Sequence, residues 1–200
     1  MEFNIKDRIK PEAKILLIKL RSIGDVVYNT AVYSPIKKHL PNARLTVLVE
    51  PASYEIVKNH PDVDEVLCFK KGSFFEQVKF YLNLIWSRYD VAIDMHEGTR
   101  GAVMCFLSFA RFKIGGKFAR RSFLYNTKIN FSDLKPAIPL DYQVALISKL
   151  GVPFENPQPI IHVSDAWRKS AHDLLISKNF DSEKPYCIIH PGARKYDQWQ

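Results

Sequence analysis

The stretch Lys14-Ile-Leu-Leu-Ile-Lys-Leu-Arg-Ser-Ile-Gly-Asp25 sets how everything after it is read. Its first seven residues, Lys14 to Leu20, form a nearly continuous apolar run bounded by charge, the pattern of a strand buried on both faces. Such a strand belongs in a parallel sheet, because crossover connections lay helices over each side. Arg21 to Asp25 then make a turn with one glycine, and a helical stretch runs on to His39-Leu-Pro-Asn42. Pro35 lies inside that stretch and has no N–H to give the helix, which predicts a kink or a break.

Outward from this unit the alternation repeats. Residues 44–49 read as a second strand, 51–60 as a short helix with proline at its start, and 65–69 as a third strand. Between Ser73 and Arg88 the apolar residues Phe74, Val78, Tyr81, Leu82 and Ile85 recur at helical spacing. A fourth strand over 89–94 leads into the polar loop Met95-His-Glu-Gly98. After it come a helix over 102–110, a short fifth strand over 112–115, a weaker strand over 125–130 and a helix over 142–150 stopped by Gly151 and Pro153. The expected fold class is α/β: a Rossmann-like parallel sheet with helices on both faces and right-handed crossovers.

Residues 1–13 read as an N-terminal extension, 14–163 as the Rossmann-like domain, and 164–200 as a linker helix followed by the first strand of another domain. Ser164 or Asp165 would cap that helix, which runs to Lys178, and Tyr186-Cys-Ile-Ile-His190 has the look of a buried strand. A buried strand with only a loop behind it lacks cover, so the chain is expected to be truncated inside a second domain.

With 46% hydrophobic and 25% charged residues the chain can bury an ordinary globular core. The charged start MEFNIKDRIKPEAK has no apolar core of a secretory signal, and no apolar run approaches the about 20 residues that span a bilayer. Cys68, Cys105 and Cys187 have no metal-ligand spacing and read as buried, reduced thiols of a cytoplasmic protein. The net charge of +8 favours polyanions: nucleic acid, anionic lipid headgroups or phosphorylated glycans. Arg111, Lys113, Lys117, Arg120 and Arg121 cluster among Phe112, Phe118 and Phe123, which suits an anionic membrane or a phosphorylated lipid. A solvated basic face has the same composition. No nucleic-acid-binding motif accompanies the charge, so nucleic acid is not an expected partner.

In open α/β sheets ligands gather at the carboxyl ends of the strands, near the reversal of strand order. Ser22-Ile-Gly-Asp25 falls at such an end; Gly24 allows close approach of a ligand, and Asp25 begins a helix. A helix start recruits an acid for its own sake, so Asp25 has a purely structural reading too. The turn lacks the G-x-G-x-x-G of a dinucleotide site, and no glycine-rich run ends in Lys-Ser or Lys-Thr. The loop after the fourth strand, His96-Glu-Gly-Thr-Arg100, should face the same crevice; Arg100 is suited to a phosphate or carboxylate, while His96 also reads as a surface histidine and Thr99 as a helix cap. No second His or Cys stands at ligand spacing from His96, so no metal is expected.

Residues 14–25 resemble the opening strand and turn of the ADP-heptose:lipopolysaccharide heptosyltransferases, glycosyltransferase family 9. Leu40-Pro-Asn-Ala-Arg-Leu45, Pro61-Asp-Val-Asp-Glu-Val66, Tyr89-Asp-Val-Ala-Ile-Asp94, Arg111-Phe-Lys-Ile-Gly115 and Ile189-His-Pro-Gly-Ala-Arg194 resemble the same family in the same order. The resemblance implies the GT-B arrangement of two Rossmann-like domains across a cleft, the N-terminal one taking the acceptor and the C-terminal one the nucleotide sugar. It implies an inverting transfer of heptose, or a related sugar, from a donor such as ADP-heptose to the lipopolysaccharide inner core, on the cytoplasmic face of the inner membrane. Asp25 matches the family's proposed base; Ser22, Gly24, His96, Arg100 and Arg120 fall to acceptor binding; Gly192, Ala193 and Arg194 match the loop near the donor diphosphate. No cofactor is implied. One departure stands out: many members carry lysine one or two residues before the tryptophan matching Trp199, where this chain has Asp197 and Gln198. An acid or amide cannot replace an ammonium beside a phosphate. The other reading is a non-catalytic Rossmann-type module that binds an anionic glycolipid.

Overall fold

A computed structural model describes residues 4–130, 138–181, 184–187 and 189. The chain forms two compact units, 1–162 and 163–200.

In the first unit six parallel strands make one sheet in the order β3-β2-β1-β4-β5-β6. They are β1 Lys14–Ile18, β2 Arg44–Val49, β3 Glu65–Cys68, β4 Val91–Asp94, β5 Phe112–Gly116 and β6 Thr127–Ile129. The helices are α1 Ile23–Asn29, α2 Tyr33–His39, α3 Pro51–Val57, α4 Phe74–Trp86, α5 Thr99–Leu107 and α6 Pro139–Ser148. The apolar run at the start explains the layering. Side chains alternate along a strand, so Ile15 and Leu17 join one core with α1, α2, α3 and α6, while Leu16 and Ile18 join another with α4 and α5. The expected Rossmann-like fold is present, with every strand pair parallel.

The expected break near Pro35 is found three residues before it. A short 3-10 turn, Thr30–Val32, separates α1 from α2 and leaves Pro35 in the first turn of the new helix, where its missing N–H costs nothing.

The second unit contains α7, Asp165–Ser177. Ser164 is its N-cap, the hydroxyl accepting from the Trp167 N–H at 3.3 Å. Ser164→Ala should weaken α7 by about 1 kcal/mol. Amide exchange measured across α7 should then quicken roughly fivefold; unchanged exchange would mean that the cap contributes nothing.

Of the strand expected over 186–190, the described residues Tyr186, Cys187 and Ile189 are exposed and outside any strand. A strand needs a hydrogen-bonding neighbour, and among the described residues of this unit α7 is the only regular element. The thiols also differ, since Cys105 is buried, Cys68 is half-buried and Cys187 is exposed.

Candidate functional site

The chain builds β1, β2 and β3 to one side, then crosses back to place β4 against the other side of β1. Two connections therefore diverge from the carboxyl ends of β1 and β4, and a crevice opens between them. The first carries Lys19 to Ser22 into α1, and the second carries Met95 to Gly98 into α5. Both sequence-predicted loops meet at this point.

Lys19 ties them together. It is 7% exposed, and its Nζ donates to the Met95 carbonyl at 2.9 Å. Burial lowers its pKa, and the nearby carboxylates of Asp25, Asp94 and Glu97 oppose that shift. Asp25 itself is half-buried in the first turn of α1. Its Oδ2 accepts from the Ser22 N–H at 3.2 Å and the Ser22 hydroxyl at 3.4 Å, while among the described residues Oδ1 has no hydrogen bond. The carboxylate is thus anchored through one oxygen and leaves the other available. Behind it, the Asp25 carbonyl accepts from Gln143 on α6, and Gln143 is buried against Asn29. Gly24 is exposed, and a Cβ built there meets nothing within 4 Å, so the space beside Asp25 is open.

The second loop is held by Asp94, wholly buried at the end of β4. Its Oδ1 accepts from the N–H groups of His96 at 2.9 Å and Glu97 at 3.1 Å, and its Oδ2 from the Tyr125 hydroxyl at 2.7 Å. Burial nonetheless pushes its pKa up to about 6, with those hydrogen bonds pulling the other way. Glu97 stands in the left-handed region at φ 53°, a conformation that costs a non-glycine residue about 1–3 kcal/mol unless its surroundings hold it. The Tyr142 hydroxyl and the Gly116 N–H hold its carboxylate, while burial raises its pKa. Gly116 is required there, since a Cβ would lie 1.8 Å from Glu97 Oε1.

His96 is half-buried, its pKa lowered to about 4 chiefly by burial and then by Lys19, Arg21 and Arg100, so it is neutral near pH 7. Its ring lies over Gly98, where a Cβ would come within 2.6 Å of Nε2. Gly98, not Thr99, is the N-cap of α5, and Thr99 is the first helical residue. Arg100 is engaged by Glu50 from the end of β2 at 2.7 Å. Arg120 is exposed in the connection leaving the carboxyl end of β5. Ser22, Gly24, Asp25, His96, Arg100 and Arg120 therefore all lie along the carboxyl edge of one sheet. Gly192, Ala193, Arg194 and the Asp197-Gln198-Trp199 segment lie outside the described residues.

Sequence reading missed Lys19, Asp94, Glu97, Tyr125 and Tyr142. Lys19 carried a signal, because a lysine inside a doubly buried apolar run must find a partner.

A family model described as glycosyltransferase family 9 (heptosyltransferase) matches residues 78–199. Lipopolysaccharide heptosyltransferase 3 of Escherichia coli strain K12 is 23% identical over 186 residues, covering 88% of this chain and 53% of that protein. Among solved structures, a family 9 glycosyl transferase from Veillonella parvula DSM 2008 superposes with a TM-score of 0.73 at 20% identity, over 91% of this chain and 52% of that one. The E. coli heptosyltransferase WaaC with ADP-2-deoxy-2-fluoro heptose gives a TM-score of 0.63 at 21% identity, over 73% of this chain and 51% of that one. The chain spans about half the length of the relatives it matches.

Proposed function

The chain belongs to glycosyltransferase family 9, the heptosyltransferases, and we propose that its first unit is the acceptor-binding half of an inverting sugar transferase acting on the lipopolysaccharide inner core. The observation that carries this reading is the Asp25 carboxylate, half-exposed at the crevice between β1 and β4 with one oxygen anchored by Ser22 and open space beside it.

An acceptor hydroxyl entering that space gives its proton to Asp25 as its oxygen attacks the anomeric carbon from the side opposite the nucleotide. The neighbouring cations suit an acceptor rich in phosphate and acidic sugars: Lys19 at the floor, Arg21 beside the turn, and Arg120 at the edge. His96, neutral at working pH, offers a hydrogen bond without added charge. Arg100 reaches an acceptor only by sharing or leaving Glu50. The nucleotide diphosphate would be met by the loop containing Gly192, Ala193 and Arg194. ADP-heptose is the donor proposed, since WaaC binds an analogue of it. With a lipid-anchored acceptor, the location we propose is the cytoplasmic face of the inner membrane. No helix among the described residues is long and apolar enough to cross a membrane; the association proposed is peripheral.

The second reading, an anionic-glycolipid module without transfer, is favoured by Asp197 and Gln198 standing where many members carry lysine. Both readings require acceptor binding by residues 14–163. Titration of the chain with a phosphorylated inner-core acceptor should show saturable binding that weakens as salt screens the charges. Arg120→Glu should weaken it by roughly tenfold. Equal affinity at low and high salt, or an unaffected R120E protein, would remove the electrostatic account; transfer assays, taken up below, separate the two readings.

A further inference from the structure

Helix α4 carries apolar side chains around most of its circumference. Phe80, Tyr81 and Leu84 turn inward and pack against the core beneath the sheet. The other side bears Phe74, Phe75, Val78, Leu82 and Trp86, a stripe at the i, i+4 spacing of one helix face. Phe75 is 81% exposed, Phe74 74% and Trp86 71%. A solvated helix would put charge there. Helix α5 packs beside α4 and carries exposed Phe106 near its end, with exposed Phe109 just beyond it. An apolar stripe this exposed along one helix marks a surface that is covered in use.

We propose that the outward stripe of α4 is a membrane-docking face, lying flat in the headgroup region of an anionic bilayer with Phe75, Leu82 and Trp86 inserted. This rests on the peripheral association proposed above and names the element responsible. Charge selects the occupant. Lys70, Lys71, Lys79 and Arg88 flank or interrupt the stripe, against one acid, Glu76, which is spent on the Ser73 capping box. A second copy of the chain docking face to face would set these cations against themselves, whereas anionic headgroups neutralise them. At 13 residues the helix is about 20 Å long, too short to span a bilayer but suited to lie in its plane. Its direction is also apt. Leaving the carboxyl end of β3, α4 starts with Phe74 and Phe75 at the sheet edge that holds Asp25. A sugar projecting from a lipid anchored in the same bilayer is thereby presented to the crevice.

The test uses the whole chain with vesicles of phosphatidylglycerol and phosphatidylethanolamine, compared with phosphatidylcholine alone. In a W167F/W199F protein, emission from Trp86 should shift to the blue and be quenched by lipids brominated on their acyl chains. The triple variant F75S/L82S/W86S, altered only at exposed positions, should keep its circular dichroism and partition about a hundredfold less into anionic vesicles. Triple-variant binding equal to the parent's, with binding abolished by R120E/R121E, would overturn the α4 assignment while leaving peripheral association intact. A parent chain that floats with no vesicle would remove both. Light scattering that shows a dimer, converted to monomer by the triple variant, would assign the stripe to self-association and likewise overturn the proposal.

Discussion

Asp25→Asn is expected to depress turnover by about a hundredfold to ten-thousandfold, the range associated with loss of a positioned general base. The measurement needs a complete donor-binding half, so the whole chain, with Asp197 and Gln198, would be joined to the matching C-terminal remainder of an E. coli lipopolysaccharide heptosyltransferase and assayed with ADP-heptose and an inner-core acceptor. The replacement is nearly isosteric. An Asn side-chain oxygen can still accept from the Ser22 N–H, so the first turn of α1 keeps its geometry. What the amide cannot do is take the proton from the attacking hydroxyl. With the donor held by the other half, as proposed, KM for ADP-heptose should stay within about twofold while kcat falls, the signature of an interaction made in the transition state alone. Turnover equal to the parent's would eliminate Asp25 as base and return it to a helix-start acid. A parent chimera that binds acceptor but never transfers sugar, even with its donor half intact, would favour the non-catalytic module.

How much of this could be read in advance depended on how local the cause was. The sheet was legible because doubly buried strands have a local signature, and residues 14–20 carry it without help from the rest of the chain. The meeting of the two loops followed from strand order, which the alternation of elements implies. The framework behind them was not legible. Asp94 ends an apolar strand and looks like its polar stop, but its role depends on Tyr125, which reaches it only after β5 and β6 have been laid beside β4. Glu97 depends in the same way on Gly116 and on Tyr142 from α6. Such partners are set by register, and no spacing within one segment encodes them. Helix α4 shows the complementary limit. Its periodicity correctly predicted a helix but did not say which apolar residues face the core, and Phe74, Val78 and Leu82 are exposed. Apolar residues around most of a helix leave its inner face unmarked, and only packing decides which of them are inside.

Asp94 should also dominate the stability of the site, with a pH dependence of definite sign. Its carboxyl group is acceptor for three donors, all within the fold that presents the crevice. Asp94→Ala leaves the Tyr125 hydroxyl and the His96 and Glu97 N–H groups without that acceptor, and a loss of about 3 kcal/mol is expected in chemical denaturation at neutral pH. Burial raises the Asp94 pKa from 3.8 to about 6, so the folded state holds the proton more tightly than the unfolded chain does. The resulting contribution to stability is fully present below the unfolded pKa of 3.8 and is lost as pH rises through the folded pKa near 6. A shift of that size corresponds to at most about 3 kcal/mol. Asp94→Asn removes the titration but keeps an oxygen for the two loop N–H groups. The stability of the parent relative to D94N should therefore fall between about pH 4 and pH 6 and level off above it. A difference that is flat with pH, or that grows as pH rises, would show that Asp94 ionises as freely in the fold as in the unfolded chain. In that case the loop bearing His96 and Glu97 is held by an ordinary charged carboxylate, and the crevice owes nothing to a strained, proton-retaining acid at its base.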